Sequence, residues 1–392
     1  MISTITAFEA IPIDKISIPQ CNLDIENKTR SNMFAWNGQF SPQFIETLLS
    51  SYAHDEDIVL DPFAGSGTTL CEAGRKGLSA YGMELNASAY YMAKTYELIN
   101  RTISERQSLI FTIEHILATI SDTDKILPTI TAAIQRNKNS DLANLLSTLT
   151  ILMDLFNNEL SVSLLQKKWD GLKRIVLEIP FSPASIKIDM GDSRFLNCRD
   201  DTATLLITSP PYINVFNYHQ KYRRSVEALG YDVLAIAKNE FGSNRKNRGN
   251  RLLTVIQYCI DMALSFKEVI RTCRDGARMI YVVGRESNVL GYSFCNSRLI
   301  FEIATQIFEI PFLLRQERVF KNRFGRLIYE DILHFENSKT GFSPSDEEIV
   351  SSARSIAVKM LFEKAQMYPD SKNIGFIVEA IEKSEKINRS EA

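Results

Sequence analysis

The chain has 392 residues, 45% hydrophobic and 23% charged, proportions that support a sizeable globular core and exclude a disordered or fibrous protein. Its formal net charge of −2 carries no global signature of nucleic-acid binding, so any such surface must be a local patch. No run approaches the roughly 18 apolar residues of a membrane span, and the acidic residues Glu9 and Asp14 argue against a signal peptide. Cys21, Cys71, Cys198, Cys259, Cys273 and Cys295 lack C-x-x-C spacing, so reduced thiols in a cytoplasmic protein are expected, with no metal and no disulfide framework.

Residues 1–30 are weakly periodic, with Pro12 and Pro19 interrupting any helix, and read as an irregular lead-in. Ser41 is then placed as an N-cap with Pro42 at the first helical position, and Phe44, Ile45, Leu48 and Leu49 share one face of a helix ending near Ala53. The apolar run Ile58-Val59-Leu60 ends abruptly in Asp61-Pro62-Phe63-Ala64-Gly65-Ser66-Gly67-Thr68-Thr69. Such runs read as buried parallel strands delivering a loop at their carboxyl ends, the edge where open α/β sheets bind ligands. A helix from Thr68 runs toward Gly74 and Gly77. A short strand, Ala80-Tyr81-Gly82-Met83, ends in Glu84, and the next helix carries Tyr90, Tyr91, Ala93 and Tyr96. Strand, loop, helix, strand and acid make half of a doubly wound unit.

Residues 101–180 are helix-periodic and free of glycine until Gly171, with leucines at 142, 145, 146 and 149, and read as a charge-balanced helical insertion. The sheet resumes at Ile186-Lys187-Ile188, turns through Gly191-Asp192-Ser193-Arg194, and continues in Ala203-Thr204-Leu205-Leu206-Ile207 to Thr208-Ser209-Pro210-Pro211-Tyr212. Residues 213–251 read as a long polar connection with a surplus of Lys and Arg. A helix over 252–273 leads through Asp275-Gly276 to the strand 279–283, residues 297–309 are helical, and 312–320 with 327–335 alternate as paired antiparallel strands. From Ser343 a polar helical tail is expected, frayed over its last dozen residues.

Gly65-x-Gly67 between strand and helix lets backbone N–H groups approach a ligand closely. The third glycine of a dinucleotide fingerprint would fall at Leu70, and no lysine follows in P-loop spacing, so both phosphate-binding versions are disfavoured. Asp61 at the strand tip suits an ammonium group, and Glu84 at the next tip suits two ribose hydroxyls. In the later loop, Pro210 and Pro211 remove two backbone donors and leave acceptors, Ser209 adds another, and Tyr212 supplies a flat ring. That set suits a planar substrate bearing an exocyclic amine, whose poor nucleophilicity the site must overcome by orientation and polarisation.

These two stretches resemble motifs I and IV of the amino-group DNA methyltransferases. The resemblance implies an α/β, Rossmann-like fold whose mostly parallel sheet ends in an antiparallel hairpin, with the helical stretch as an insertion. It implies S-adenosylmethionine as cofactor and a target base flipped out of duplex DNA. Phe40-Ser41-Pro42 resembles motif X, which helps hold the methionine end. The implied cofactor residues are Phe40, Ser41, Pro42, Asp61, Pro62, Phe63, Ala64, Gly65, Ser66, Gly67, Thr68, Thr69, Glu84, Leu85, Asp192, Ser193 and Thr208. The implied catalytic residues are Ser209, Pro210, Pro211 and Tyr212. Serine at the head of motif IV resembles the cytosine-N4 enzymes, whereas adenine-N6 enzymes mostly carry Asp or Asn there. No Pro-Cys dipeptide occurs, so the covalent cytosine-C5 route lacks its thiolate.

The expected organisation is a lead-in with motif X and the cofactor half over 1–100, the insertion over 101–185, the catalytic half over 186–340, and a helical tail over 341–392. For DNA contact the candidates are Tyr218, Arg223, Arg224, Arg245, Lys246, Arg248 and Arg251 in the segment after motif IV, and Lys321 and Arg323 in the later turn. The expected activity is N4-cytosine methylation of double-stranded DNA in restriction-modification or phage defence, with any cognate endonuclease a separate partner. N6-adenine methylation, RNA base methylation and a silent nucleic-acid-binding scaffold stand as alternatives.

Overall fold

The computed structural model describes residues 8–138, 140–213, 218–242, 247, 249–322, 325–339 and 344–389. In chain order come α1 (Gln20–Asp24), α2 (Pro42–Tyr52), β1 (Ile58–Asp61), α3 (Thr68–Arg75), β2 (Ser79–Glu84) and α4 (Ala87–Lys94). The insertion holds α5 (Ile103–Ala118), α6 (Ile126–Arg136), α7 (Asp141–Met153) and α8 (Val162–Glu178). Then follow β3 (Ile186–Met190), β4 (Ala203–Thr208), the short helices α9 (Arg223–Ala228) and α10 (Val233–Asn239), and α11 (Leu253–Thr272). Next are β5 (Cys273–Gly284), β6 (Glu286–Val289), β7 (Tyr292–Cys295) and α12 (Asn296–Glu302). Beyond these lie β8 (Phe312–Lys321), β9 (Leu327–Glu336), α13 (Asp346–Met367) and α14 (Ile374–Glu382).

Seven strands form one sheet in the order β3-β2-β1-β4-β5-β9-β8. Pairings from β3 to β5 are parallel, and β9 and β8 close the far edge antiparallel. This is a Rossmann-like arrangement, as expected, with the antiparallel hairpin at one edge. The apolar runs of β1 and β4 have their reason here: both are central strands covered on two faces, with Val59, Leu60, Leu205, Leu206 and Ile207 all at most 1% exposed. From β1 the chain travels outward to β2 and β3, then returns to β4 on the other side of β1. The crevice at the carboxyl ends of β1 and β4 is therefore the topological switch point, and both loops singled out in the sequence leave from it.

The insertion sits inside the β2-to-β3 crossover. Leu145, Leu146 and Leu149 of α7 and Trp169 and Leu172 of α8 are buried, and the buried guanidinium of Arg106 donates to the carbonyls of Leu98, Ile99, Val176 and Pro180. One planar group thus satisfies several helix-end carbonyls where the insertion meets the parent fold. The insertion also touches the segment after the proline loop, with the Leu155 amide donating to Ser225 Oγ at 3.1 Å.

Several sequence expectations change. The lead-in is not wholly irregular: Pro19 starts α1 rather than breaking it, and Asp24 accepts the Val319 amide at 2.6 Å. Strand β8 is the sheet edge, and α1 gives its unpaired backbone groups partners. The connection after the proline loop holds α9 and α10, the latter N-capped by Asp232, which accepts the Leu234 and Ala235 amides. Strand β5 begins at Cys273 and absorbs the Asp275-Gly276 turn as an irregularity, with Gly276 at φ +76°. An overlooked hairpin, β6 with β7, turns through Leu290 and Gly291, both at positive φ. The C-terminal region is no loose tail. Helix α13 opens on a Ser345–Glu348 capping box, buries Ile349, Ala353, Ala357 and Leu361, and its Glu363 takes a two-pronged ion pair from Arg298. Arg354 then donates to the carbonyls of Ser384 and Ile387, docking residues expected to fray. No described helix is long and apolar enough to cross a membrane.

Candidate active site

At the tip of β1, Asp61 is 2% exposed and accepts the Thr208 hydroxyl at 2.6 Å and the Phe63 amide at 3.2 Å. The register pairing Leu60 with Leu206 makes this link between the two loops possible. Burial pushes the Asp61 carboxyl up to about 6, against the lowering effect of the hydrogen bonds. Glu84, at the tip of β2, accepts the Gly65 amide on one oxygen at 2.8 Å and the Asn86 amide on the other at 2.7 Å. Burial raises it to about 7 despite both amides. Each carboxylate oxygen has two acceptor positions, so the backbone orients Glu84 while leaving one position on each oxygen for a vicinal pair of hydroxyls. Gly67 has φ +86°, and a Cβ there would lie 2.8 Å from the Cβ of Ala93, so only glycine lets α4 close against the loop.

These groups wall one cleft at the switch point. Of the expected cofactor residues, Phe40, Asp61, Pro62, Phe63, Ala64, Gly65, Ser66, Thr68, Glu84, Leu85, Asp192 and Ser193 line it. Ser41, Pro42, Gly67, Thr69 and Thr208 do not line it. Ser41 precedes α2 without a side-chain cap bond, and Pro42 faces a separate cavity beside α3. Asp192 is gripped by Arg194, which also pairs with the fully buried Asp261 at 2.6 Å.

Of the expected catalytic residues, Ser209 and Pro211 reach the cleft, while Pro210 and Tyr212 do not line it. Tyr212 lies against β5. A Cβ at Gly284 would fall 2.5 Å from its ring, and its hydroxyl donates to Glu330 at 3.2 Å. Arg318 pairs with the same carboxylate at 3.1 Å. Burial holds the Tyr212 phenol well above its ordinary value, so it is a neutral donor in a fixed pose.

The cleft also has walls that the sequence reading did not name. Trp36, Asn37, Gly38 and Gln39 of the lead-in contribute, and Gln39 accepts the Ser66 hydroxyl at 2.7 Å. Asn32 accepts the Thr68 hydroxyl at 2.9 Å and donates to the Phe40 carbonyl at 2.8 Å, tying the lead-in to the glycine loop. Trp36 stacks on Tyr218 with centroids 6.2 Å apart and on Tyr222 at 6.4 Å, with the Lys221 ammonium 4.8 Å above its ring. Tyr218, expected at DNA, therefore lines the cofactor cleft. Glu240 and Phe241 complete the wall. Asn86 and Gly191 sit beside residues the sequence did single out; the one signal for Glu240 was an acid directly before an aromatic residue and a glycine.

Among the other DNA candidates, Arg223 pairs with Glu227 at 2.8 Å and Arg224 lies over Phe156 at 5.4 Å. Arg251 is half-buried and Lys321 is exposed at the end of β8. Arg245, Lys246, Arg248 and Arg323 lie outside the described residues.

A vicinal-hydroxyl acceptor at Glu84, a buried acid at Asp61 and the aromatic walls Phe40, Phe63 and Phe241 fit an adenosyl amino acid. The fold is Rossmann-like, and S-adenosylmethionine is the cofactor that the cleft fits. Residues 18–95 match the model of the N6/N4 methyltransferase family, described as DNA methylase. The matched residues carry the glycine loop, Asp61 and Glu84, and over them the chain is similar to the amino-group DNA methyltransferases. Type II methyltransferase M.MjaII of Methanocaldococcus jannaschii is 37% identical over 51 residues, 13% of this chain. The chain spans only 10% of the length of that relative. Among solved structures, a SAM-dependent methyltransferase from Methanosarcina mazei aligns over 74% of this chain and 97% of its own, at 11% identity and a TM-score of 0.34. The rRNA methyltransferase aviRa from Streptomyces viridochromogenes aligns over 87% and 99%, at 9% identity and a TM-score of 0.34.

Proposed function

We propose that the protein methylates the exocyclic N4 amine of a cytosine flipped out of double-stranded DNA, in a site-specific manner suited to a restriction-modification system. What carries this reading is that Ser209 and Pro211 share one cleft wall with Asp61 and Glu84, so amine acceptors and cofactor acceptors face the same space. When bound, S-adenosylmethionine supplies an electrophilic methyl on a sulfonium, whose C–S electron pair returns to sulfur as the N–C bond forms. The serine hydroxyl and the carbonyls of the donor-free proline pair accept hydrogen bonds from the amine and orient it, and the proton lost once the nitrogen is methylated passes to solvent. Tyr212, locked by Gly284 and Glu330, keeps the proline loop in register. Asp61 receives the cofactor's ammonium and Glu84 its ribose.

The DNA-facing surface combines the segment after the proline loop with the insertion, because α9 rests on the insertion through Ser225 and Arg224 covers Phe156. The basic run from Arg245 to Arg251 follows that segment in the sequence and supplies positive charge suited to phosphates. A cognate endonuclease, where present, is a separate chain. The test is incubation with labelled S-adenosylmethionine and unmethylated duplex DNA, followed by nucleoside analysis. N4-methylcytosine is expected. N6-methyladenine as sole product would refute the base assignment, and label in tRNA without label in duplex DNA would refute the substrate.

A further inference from the structure

We propose that Glu240 is a further cofactor-holding residue, accepting a hydrogen bond from the nucleoside half of S-adenosylmethionine while His219 holds it in place. This rests on the cleft being the cofactor site. Glu240 follows α10 directly, is 8% exposed and lines the cleft. One carboxylate oxygen lies 2.9 Å from His219 Nδ1. The other ring nitrogen of His219 is 3.1 Å from the Gln220 side-chain amide nitrogen, a donor, so that ring nitrogen accepts and Nδ1 carries the proton given to Glu240. The second oxygen of Glu240, Oε1, is buried and has no hydrogen-bond partner among the described residues. A buried carboxylate oxygen without a donor is costly, and Glu240 lines the cleft, where a ligand's donor would relieve that cost.

Its surroundings select the nucleoside half. The next residue, Phe241, meets Phe63 edge-on at 5.4 Å and lies under the Arg194 guanidinium at 5.3 Å, the same arginine that grips Asp192. The negative charge of Glu240 also acts on Glu84, at the ribose position. The segment after the proline loop therefore supplies the cofactor with a carboxylate of its own, directly before the basic run offered to DNA.

Calorimetry on the full chain tests this with S-adenosylhomocysteine and with 5′-methylthioadenosine, which lacks the amino-acid end. Glu240→Gln should weaken both ligands by a similar factor, about tenfold or more, as expected for losing a hydrogen bond to a charged group. Undiminished affinity for both, or a loss confined to S-adenosylhomocysteine, would overturn the assignment. Wild-type protein binding neither ligand would instead refute the cleft as the cofactor site. Thermal unfolding without ligand checks that the variant folds. If it does not, His219→Gln decides: a smaller loss shared by both ligands supports the pair, and unchanged affinity overturns it.

Discussion

Replacing Gly67 by alanine probes how the glycine loop is held. Gly67 precedes α3 with φ +86°, and a Cβ there would lie 2.8 Å from Ala93 Cβ, 2.9 Å from Ala93 Cα and 2.9 Å from the Tyr96 ring. Left-handed backbone costs a non-glycine residue about 1–2 kcal/mol, and overpacking against a helix backbone adds about 1–3 kcal/mol. Gly67→Ala should therefore destabilise by about 2–5 kcal/mol. Gly77→Ala is the control: its φ is +82° but nothing lies within 4 Å of the added Cβ, so only the backbone strain remains. Urea unfolding of both variants beside the wild type gives the difference from the midpoints. Displacing the loop also moves the Gly65 amide off Glu84, so S-adenosylhomocysteine affinity should fall in Gly67→Ala and hold in Gly77→Ala. Equal destabilisation by the two alanines would refute the packing account of the loop.

With Asp61 on the ammonium and Glu84 on the ribose, as proposed, cofactor affinity should depend on pH, because burial pushes Asp61 up to about 6 and Glu84 up to about 7 and the ionised carboxylates are much the stronger acceptors. At pH 6 roughly one Glu84 in ten is ionised, so S-adenosylhomocysteine should bind at least about tenfold more weakly than at pH 8; a flat profile by calorimetry would refute this. Both carboxyls hold protons more tightly folded than unfolded. Their contribution to the unliganded protein's stability is therefore full below the unfolded carboxyl range and lost as pH rises through about 6 to 7, so cofactor protection in melting experiments should grow over that window. Tyr212→Ala should leave cofactor binding intact and cut kcat by about a hundredfold, since it empties the space against Gly284 and frees the proline loop; a loss of cofactor affinity would contradict that separation. Changing Arg245 and Lys246 together to alanine should weaken DNA binding on all sequences and lower the salt slope by about 2. Unchanged affinity would remove that run from the interface.

Local chemistry marked most elements correctly. Apolar runs cut short by Asp61 and Ser209 announced the central strands, and the insertion's leucine spacing announced its helices. What went unread depended on partners distant in the chain. Helix α1 exists because the edge strand β8 offers it backbone partners, and α13 is a core helix because α11 buries its apolar face. Neither partner can be deduced from the short stretches concerned.

The sequence by itself determined the two loops and the acids at the strand tips, because glycine, proline and strand-end carboxylates act through local backbone geometry. Only the tertiary structure decided that β1 and β4 are neighbours at the switch point and that Tyr212 is braced by Gly284 and Glu330. It also decided that Trp36, Tyr218 and Glu240 close the cleft. Those placements come from sheet order and packing between segments far apart in the chain, and no local propensity carries that information.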